Sequence, residues 1–253
     1  MKPTPIPSSK FKINMTNTTD ALQSNMVRTH TSTQADEARV SGLFMYQWWK
    51  GLFDRILALV TIILTSPLMA LIAIGIRLDS PGSAIYRREQ VGEDGRVFTA
   101  YKFRSMYVNN DDSKYKAYLI RYITEDAPYT VDGDGQGVYK VINDPRVTRF
   151  GALLRKTNLE ELPQFFNVLR GEMSVVGPRP DIPFAVGMYK EWHRKRLEVK
   201  PGITGLWQVS GRKGLSFEDM VRLDIEYIER QSFILDIKIL LLTISTILRR
   251  DGS

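Results

Sequence analysis

Glu160 and Glu161 stand side by side in RKTNLEELPQFFN, residues 155–167. Adjacent carboxylates repel each other, so a chain gains little structurally by pairing them among apolar residues. Chemically the pair is useful. One carboxylate can attack phosphorus and form an acyl-phosphate, which splits one transfer into two steps. A second can hold Mg2+, which neutralises phosphate charge. The competing reading is structural. Acids at a helix start complement the helix dipole, and Thr157 and Asn158 each precede a glutamate by three places, as a capping box requires. Pro163 suits the first turn of a helix that starts near Glu160. That account covers one acid better than two.

Cations suited to phosphate lie elsewhere in the chain. Lys102-Phe103-Arg104 puts two cations on one face of a strand. In VVGPRP, Arg179 is held between Pro178 and Pro180, and a rigidly held guanidinium suits bidentate phosphate recognition. A solvated strand face and an ordinary turn with a surface arginine are the alternatives.

These groups need elements to position them. Two β-rich pieces, residues 84–91 and 97–103, flank Glu93-Asp94-Gly95 and predict a hairpin. Residues 108–143 read as a polar loop. Within it DGDGQG starts like a calcium loop but fails at the twelfth position, where Asn143 stands instead of glutamate. Leu153, Leu154, Leu159, Leu162, Phe165, Phe166 and Leu169 predict helical burial with a stop at Gly171. PGITGLWQVSGR reads as loop. Residues 233–250 are apolar with basic punctuation and suit either a membrane surface or packing against the domain.

ILALVTIILTSPLMALIAIGI, residues 56–76, has 21 residues and no charge. About 20 apolar residues in a helix can cross a hydrocarbon core of about 30 Å. A buried core helix and a plain span are the simpler readings. Pro67 at the middle lacks an N–H, so the Ile63 carbonyl loses its helical partner and the helix should kink. Ser66 can supply a compensating hydrogen bond. Both flanks are basic: Lys50 and Arg55 before, then Arg77, Arg87 and Arg88. The positive-inside tendency draws both ends to the cytoplasmic side, which predicts a re-entrant helix. Tyr46, Trp48 and Trp49 suit the bilayer interface.

The fold class expected is α+β and mainly helical. It comprises a flexible polar tail over residues 1–41, and an interfacial segment with a kinked re-entrant membrane helix over 42–80. A compact cytoplasm-facing catalytic domain follows over 81–253, with a small β-hairpin and surface-lying helices. The 253 residues include no cysteine and two histidines, which excludes disulfides and thiol nucleophiles and disfavours a Ser-His-Asp triad. A net charge of +7 points to an anionic partner. The charge is spread along the chain and no nucleic-acid motif occurs, which weighs against nucleic acid.

KFRSM, DPRVTRFGALLRKTNLEELPQ, FNVLRGEMSVVGPRP and PGITGLWQVSGR together resemble the bacterial sugar transferases, the monotopic polyprenyl-phosphate phosphoglycosyl transferases. The resemblance runs over about residues 47–250. It implies transfer of a sugar-1-phosphate from a UDP-sugar to undecaprenyl phosphate with release of UMP. The lipid-linked product starts an exopolysaccharide, capsule or O-antigen. It also implies Mg2+, a covalent phospho-sugar enzyme, and a place in the bacterial inner membrane with the active site on the cytoplasmic face. By position Glu160 would be the nucleophile and Glu161 the Mg2+ ligand. Lys102, Arg155 and Arg179 would bind substrate phosphates, and Ser66-Pro67 would match the family's re-entrant Ser-Pro. The family motif begins with aspartate where Glu160 stands. The extra methylene moves the attacking oxygen by about 1 Å, a displacement that can cost roughly 10²-fold in rate unless the site has adjusted. The GLWQ region is similar to members that load galactose or glucose. Expected partners are the UDP-sugar, undecaprenyl phosphate, membrane lipid and, as an option, a second copy of the chain as homo-oligomer. The rival reading is a catalytically weak or inactive membrane adaptor of a glycan-assembly complex.

Overall fold

The computed structural model describes residues 16–108, 113–125, 130–131, 137–138, 144–210 and 215–249. The chain divides between Trp48 and Trp49, and every group with candidate chemistry lies after that point. Helical backbone α1 (Thr16–Asp79) begins inside the segment read as a polar tail. From Met45 to Asp79 it is apolar and long enough to cross a membrane, and only 11% of its most apolar stretch is buried. Ile63, Leu64, Leu71 and Leu78 are exposed. A core helix of a soluble domain would hide such side chains.

Pro67 sits inside α1 and the helix continues through it. The hydroxyl of Ser66 donates to the Ile63 carbonyl at 2.8 Å. That carbonyl is the one Pro67 leaves without a helical donor, so the expected compensation is present.

The predicted hairpin forms. Strand β1 (Ile85–Val91) pairs antiparallel with β2 (Val97–Phe103), with Ile85 opposite Phe103. Asp94 and Gly95 turn the chain at φ 56° and 74°, a left-handed conformation that aspartate and glycine tolerate. Ala100 and Phe103 are buried. Arg104 corrects the two-cation reading. It lies past the strand end, buried, and donates to the Ser80 carbonyl at 2.7 Å and the Pro81 carbonyl at 2.5 Å. Its work is to cap the end of α1.

The supposed loop after the hairpin contains helix α2 (Ser113–Ile120), extended by a wider turn at Arg121–Glu125. Leu119 and Ile123 are buried with Val91, Phe217 and Val221. Tyr118 and Tyr122 stack at 5.5 Å. Partners distant in sequence stabilise this helix. Strands β3 (Thr130–Val131) and β4 (Gly137–Val138) form a short antiparallel pair; most of DGDGQG and Asn143 lie outside the described residues.

Helix α3 (Arg149–Thr157) ends at Asn158, which adopts φ 55°. A 3-10 turn, Leu159–Gln164, follows and leads into α4 (Phe165–Arg170), which stops at Gly171 with φ 80°. The predicted stop is therefore present. The capping box is not. Thr157 belongs to the preceding helix and donates to the Leu153 carbonyl at 2.8 Å, and Asn158 makes no side-chain cap. Leu154 is buried as expected, but Leu153, Phe166 and Leu169 are exposed.

PGITG, read as loop, supplies strand β6 (Gly202–Thr204). It pairs parallel with β5 (Ser174–Val176). A Cβ at Gly202 would lie 2.2 Å from the Gly177 nitrogen, so glycine permits the close approach of the two backbones. Helices α5 (Pro183–Val186), α6 (Leu206–Val209), α7 (Phe217–Arg230) and α8 (Phe233–Arg249) complete the unit, with a 3-10 segment at Glu191–Leu197. Helix α8 buries Asp236 and Ile239 and exposes Ile234, Leu241 and Ile244. It packs on the unit and presents an apolar face as well.

Both ends of the apolar helix are held by this one unit. At the head, Lys50 Nζ pairs with Asp236 Oδ2 at 2.8 Å, and the Ser174 hydroxyl donates to Asp54 at 2.7 Å. At the foot, Asp79 accepts from the Phe150 N–H at 3.1 Å, beside the Arg104 cap. Between them, Ile72 and Ile76 pack with Ala84, Phe103 and Leu154, and Leu159 and Leu162 join this cluster.

Candidate active site

The acidic pair sits in the 3-10 turn. Asn158 breaks α3 with its left-handed backbone, and Pro163 supplies no amide proton, so a regular helix cannot run through the motif. Leu159 and Leu162 anchor the turn to the apolar cluster behind it. Glu160 and Glu161 fall between those anchors.

Three elements converge on Glu161. Lys102 Nζ, from β2, lies 2.8 Å from Oε1. Arg179 Nη2, from the loop after β5, lies 3.1 Å from the same oxygen. The Gln164 amide donates to Oε2. Asn167, fully buried, locks the strand that carries Lys102 to α4. It accepts from the Tyr101 N–H at 3.1 Å and donates to the Thr99 carbonyl at 2.7 Å.

The environment drives the two acids apart. Burial pushes Glu161 up, but the charges of Lys102 and Arg179 outweigh it and hold the carboxyl down at about 2. Glu160 is raised above its ordinary value, by burial first and by the neighbouring Glu161 charge second. Its Oε2 is buried and has no hydrogen-bond partner among the described residues. Burial also lowers Lys102, with Arg179 adding to the effect and Glu161 opposing it. One acid is thus a fixed anion that organises cations. The other keeps one buried oxygen, Oε2, without a partner among the described residues, a cost to burial that a purpose would explain.

Glu161 also tests the fit of a divalent ion. A carboxylate offers about four lone-pair sites. Lys102 and Arg179 use two on Oε1 and Gln164 uses one on Oε2. A position on Oε2 therefore stays open, and Mg2+ suits such a partial site because it keeps waters and takes one or two carboxylates plus substrate phosphates. Among the described residues no group of three or more His, Asp or Glu forms an all-protein metal cage.

The structure thus brings together Lys102, Glu161 and Arg179, with Glu160 alongside. Arg155 is exposed in the last turn of α3. Its charge reaches Glu160, but its side chain makes no hydrogen bond or ion pair among the described residues. Ser66 and Pro67 serve the apolar helix locally. His193 is no base here: it is fully buried, accepts from the Lys190 N–H at 3.1 Å and packs against Trp192 and Phe217.

Sequence reasoning gave no role to Gln164, though its i+3 spacing from Glu161 was a usable signal. It also missed Arg196. This arginine is 2% exposed and binds Asp181 at 2.8 Å and Asp224 at 2.6 Å. Nothing local marks it, because its partners come from three separate segments. A surface hollow lined by Trp192, Arg222, Ile225, Glu226 and Glu229 contains none of the candidate groups.

Comparison with known proteins supplies the family. The family described as "Bacterial sugar transferase" matches residues 45–250. A "UDP-galactose-lipid carrier transferase" of Erwinia amylovora is 43% identical over 204 residues, covering 81% of this chain and 41% of that protein. An "Undecaprenyl-phosphate galactose phosphotransferase" of Salmonella typhimurium is 39% identical over 204 residues, with coverage of 81% and 41%. The "Exopolysaccharide production protein ExoY" of Rhizobium meliloti is 37% identical over 204 residues, 81% of this chain and 87% of its own length. The chain thus spans about two fifths of the first two relatives and most of the third.

Proposed function

The chain belongs to the bacterial sugar transferase family, and from that premise we propose that it moves a hexose-1-phosphate from a UDP-sugar to undecaprenyl phosphate and releases UMP. One observation carries the reading: two cations and an amide fix Glu161 beside Glu160, whose buried Oε2 has no partner among the described residues.

The chemistry balances in two steps. A Glu160 oxygen attacks the phosphorus that bears the sugar. The bond from that phosphorus to the bridging oxygen breaks, and UMP leaves with the electron pair. A phosphate oxygen of undecaprenyl phosphate then attacks the same phosphorus and Glu160 departs as carboxylate. Splitting the transfer this way is the advantage of a covalent nucleophile. Lys102 and Arg179 stabilise the phosphoryl oxygens as charge builds on them. Arg155, exposed at the rim, adds positive potential for the incoming nucleotide. Glu161 Oε2 would hold Mg2+ together with the substrate phosphates. When bound, the ion supplies neutralisation of phosphate charge.

The acceptor is a membrane lipid, and the apolar helix suits it. We read the helix as re-entrant, with the chain monotopic on the cytoplasmic face of the bacterial inner membrane. Its head and foot both make polar contacts with the same charged unit, and a charged unit cannot lie on both sides of a hydrocarbon core of about 30 Å. The apolar face of α8 would rest on the same surface. Two of the relatives described above are named for galactose, which makes UDP-galactose the first donor to try.

The test is UMP release by purified protein with undecaprenyl phosphate, Mg2+ and a panel of UDP-sugars, with Glu160→Gln alongside. Release by the wild type and none by the variant is expected. A folded wild-type protein that releases no UMP with any donor would leave the adaptor reading standing instead.

A further inference from the structure

We propose that Arg196 is a positioning residue for the transfer: it fixes the main chain of Arg179 and so aims that guanidinium at the acidic pair. The inference rests on the transferase reading above and adds a residue to its machinery.

The need for such a residue follows from the sequence of the loop. Pro178 and Pro180 have no amide proton, so two of the donors that would normally pin this segment are missing. Carbonyls pin it instead. The Pro178 carbonyl accepts from the Gly202 N–H at 2.8 Å, and the Asp181 carbonyl accepts from the Val91 N–H at 2.8 Å. Both of those donors belong to strands. Between them, the carbonyl of Arg179 accepts from a side chain, Arg196 Nη2, at 2.9 Å.

Both terminal nitrogens of that guanidinium have further partners. Nη2 also donates to Asp224 Oδ2 at 2.6 Å, and Nη1 donates to Asp181 Oδ2 at 2.8 Å and to the Tyr189 hydroxyl at 2.9 Å. The Tyr189 hydroxyl donates in turn to Asp181 Oδ2 at 2.5 Å. One planar fork therefore grips residues 179 and 181 on both sides of Pro180. Arg196 is 2% exposed, so it does not touch substrate. A buried ion network is weak evidence for stability by itself. Its value here is geometric, because a lysine lacks the fork needed to reach acceptors in several directions.

Two measurements test the proposal. In a double-mutant cycle, Arg196→Lys should lower kcat/KM by about 10- to 100-fold, the range expected of a misplaced contact group. Combining it with Arg179→Lys should add little further loss, because both changes act through one guanidinium. Multiplying losses would overturn the proposal. The second measurement needs no substrate: the Arg179 Nε–H resonance, assigned by its disappearance in Arg179→Lys. Its shift should move in Arg196→Lys and its exchange protection should drop. An unchanged resonance overturns the proposal even when the wild type releases no UMP, a result that would count against the transferase reading alone. Should Arg196→Lys not fold, Tyr189→Phe keeps the ring and removes one hydroxyl. It should shift the same resonance by less, and no shift would again overturn the assignment.

Discussion

Lys102 Nζ and Glu161 Oε1 meet at 2.8 Å across 59 positions of sequence. The pair joins the hairpin to the 3-10 turn, and Arg179 shares the same oxygen at 3.1 Å. A single carboxylate therefore sets the spacing of two cations, and the acid next to it keeps one oxygen, Oε2, without a partner among the described residues.

If Glu160 is the nucleophile, Glu160→Gln removes both UMP release and covalent labelling by the sugar phosphate, a loss of at least about 10³-fold. Glu160→Asp restores the residue usual in the family. It should still lose roughly 10- to 100-fold here, because its oxygen falls short by about 1 Å in a site adjusted to glutamate. Wild-type turnover by the aspartate variant would show that no adjustment has taken place.

A carboxylate nucleophile must be ionised to attack. Burial and the Glu161 charge raise Glu160 above the ordinary 4.5, so on the proposed mechanism activity is full above the raised value and falls as pH drops through it. The acid limb of kcat/KM should lie above 4.5 and vanish from the profile of no variant that retains Glu160. A limb at or below 4.5 in a pH–rate series would mean that Glu160 does not control the reaction.

Glu161 behaves oppositely. Its folded pKa of about 2 lies below the ordinary 4.5, so the stability it contributes is fully present above 4.5 and is lost as pH falls toward 2. Glu161→Gln strands Lys102 and Arg179 and should cost about 3 kcal/mol, toward the lower end for a broken buried pair because Arg179 is 39% exposed. Denaturant unfolding in detergent at neutral pH measures this. The difference from wild type should shrink as the pH is lowered, and a constant difference would speak against an ionic origin.

Gly151 brings α3 against the main chain just past the hairpin. A Cβ there would lie 2.1 Å from the Ser105 carbonyl oxygen. Gly151→Ala must push the helix away and should cost about 2–3 kcal/mol. Because α3 leads directly into the acidic turn, turnover should fall with stability. An alanine variant with wild-type unfolding would mean that the helix can shift freely.

The chain has no cysteine, so single labels report topology cleanly. Gln47→Cys and Ser83→Cys bracket the apolar helix. With an impermeant thiol reagent, neither should react from outside intact cells and both should react in inverted vesicles. Labelling of one end from outside would establish a simple span.

The sequence was readable where local chemistry decides the structure. The Glu-Asp-Gly turn specifies the hairpin, Gly171 ends α4, and Ser66 answers the amide that Pro67 lacks. It was opaque where distant partners decide. Helix α2 looks like loop because its support, Phe217 and Val221, lies about a hundred residues on. Arg104 looks like a phosphate ligand until the end of α1 is placed over it. Of the candidate site, the two acids, Lys102 and Arg179 were visible by residue type. Gln164 and Arg196 were not, since their roles exist only once separate segments meet.

Ile72 and Ile76 belong to the apolar helix, yet they pack in the same cluster as Leu159 and Leu162, which flank the acidic pair. On the proposed seating, lipid and catalytic turn press on opposite faces of one wall. The membrane anchor is thus also the floor of the site: the side chains that seat the turn beneath Glu160 come from the same helix whose outer face is bare and apolar.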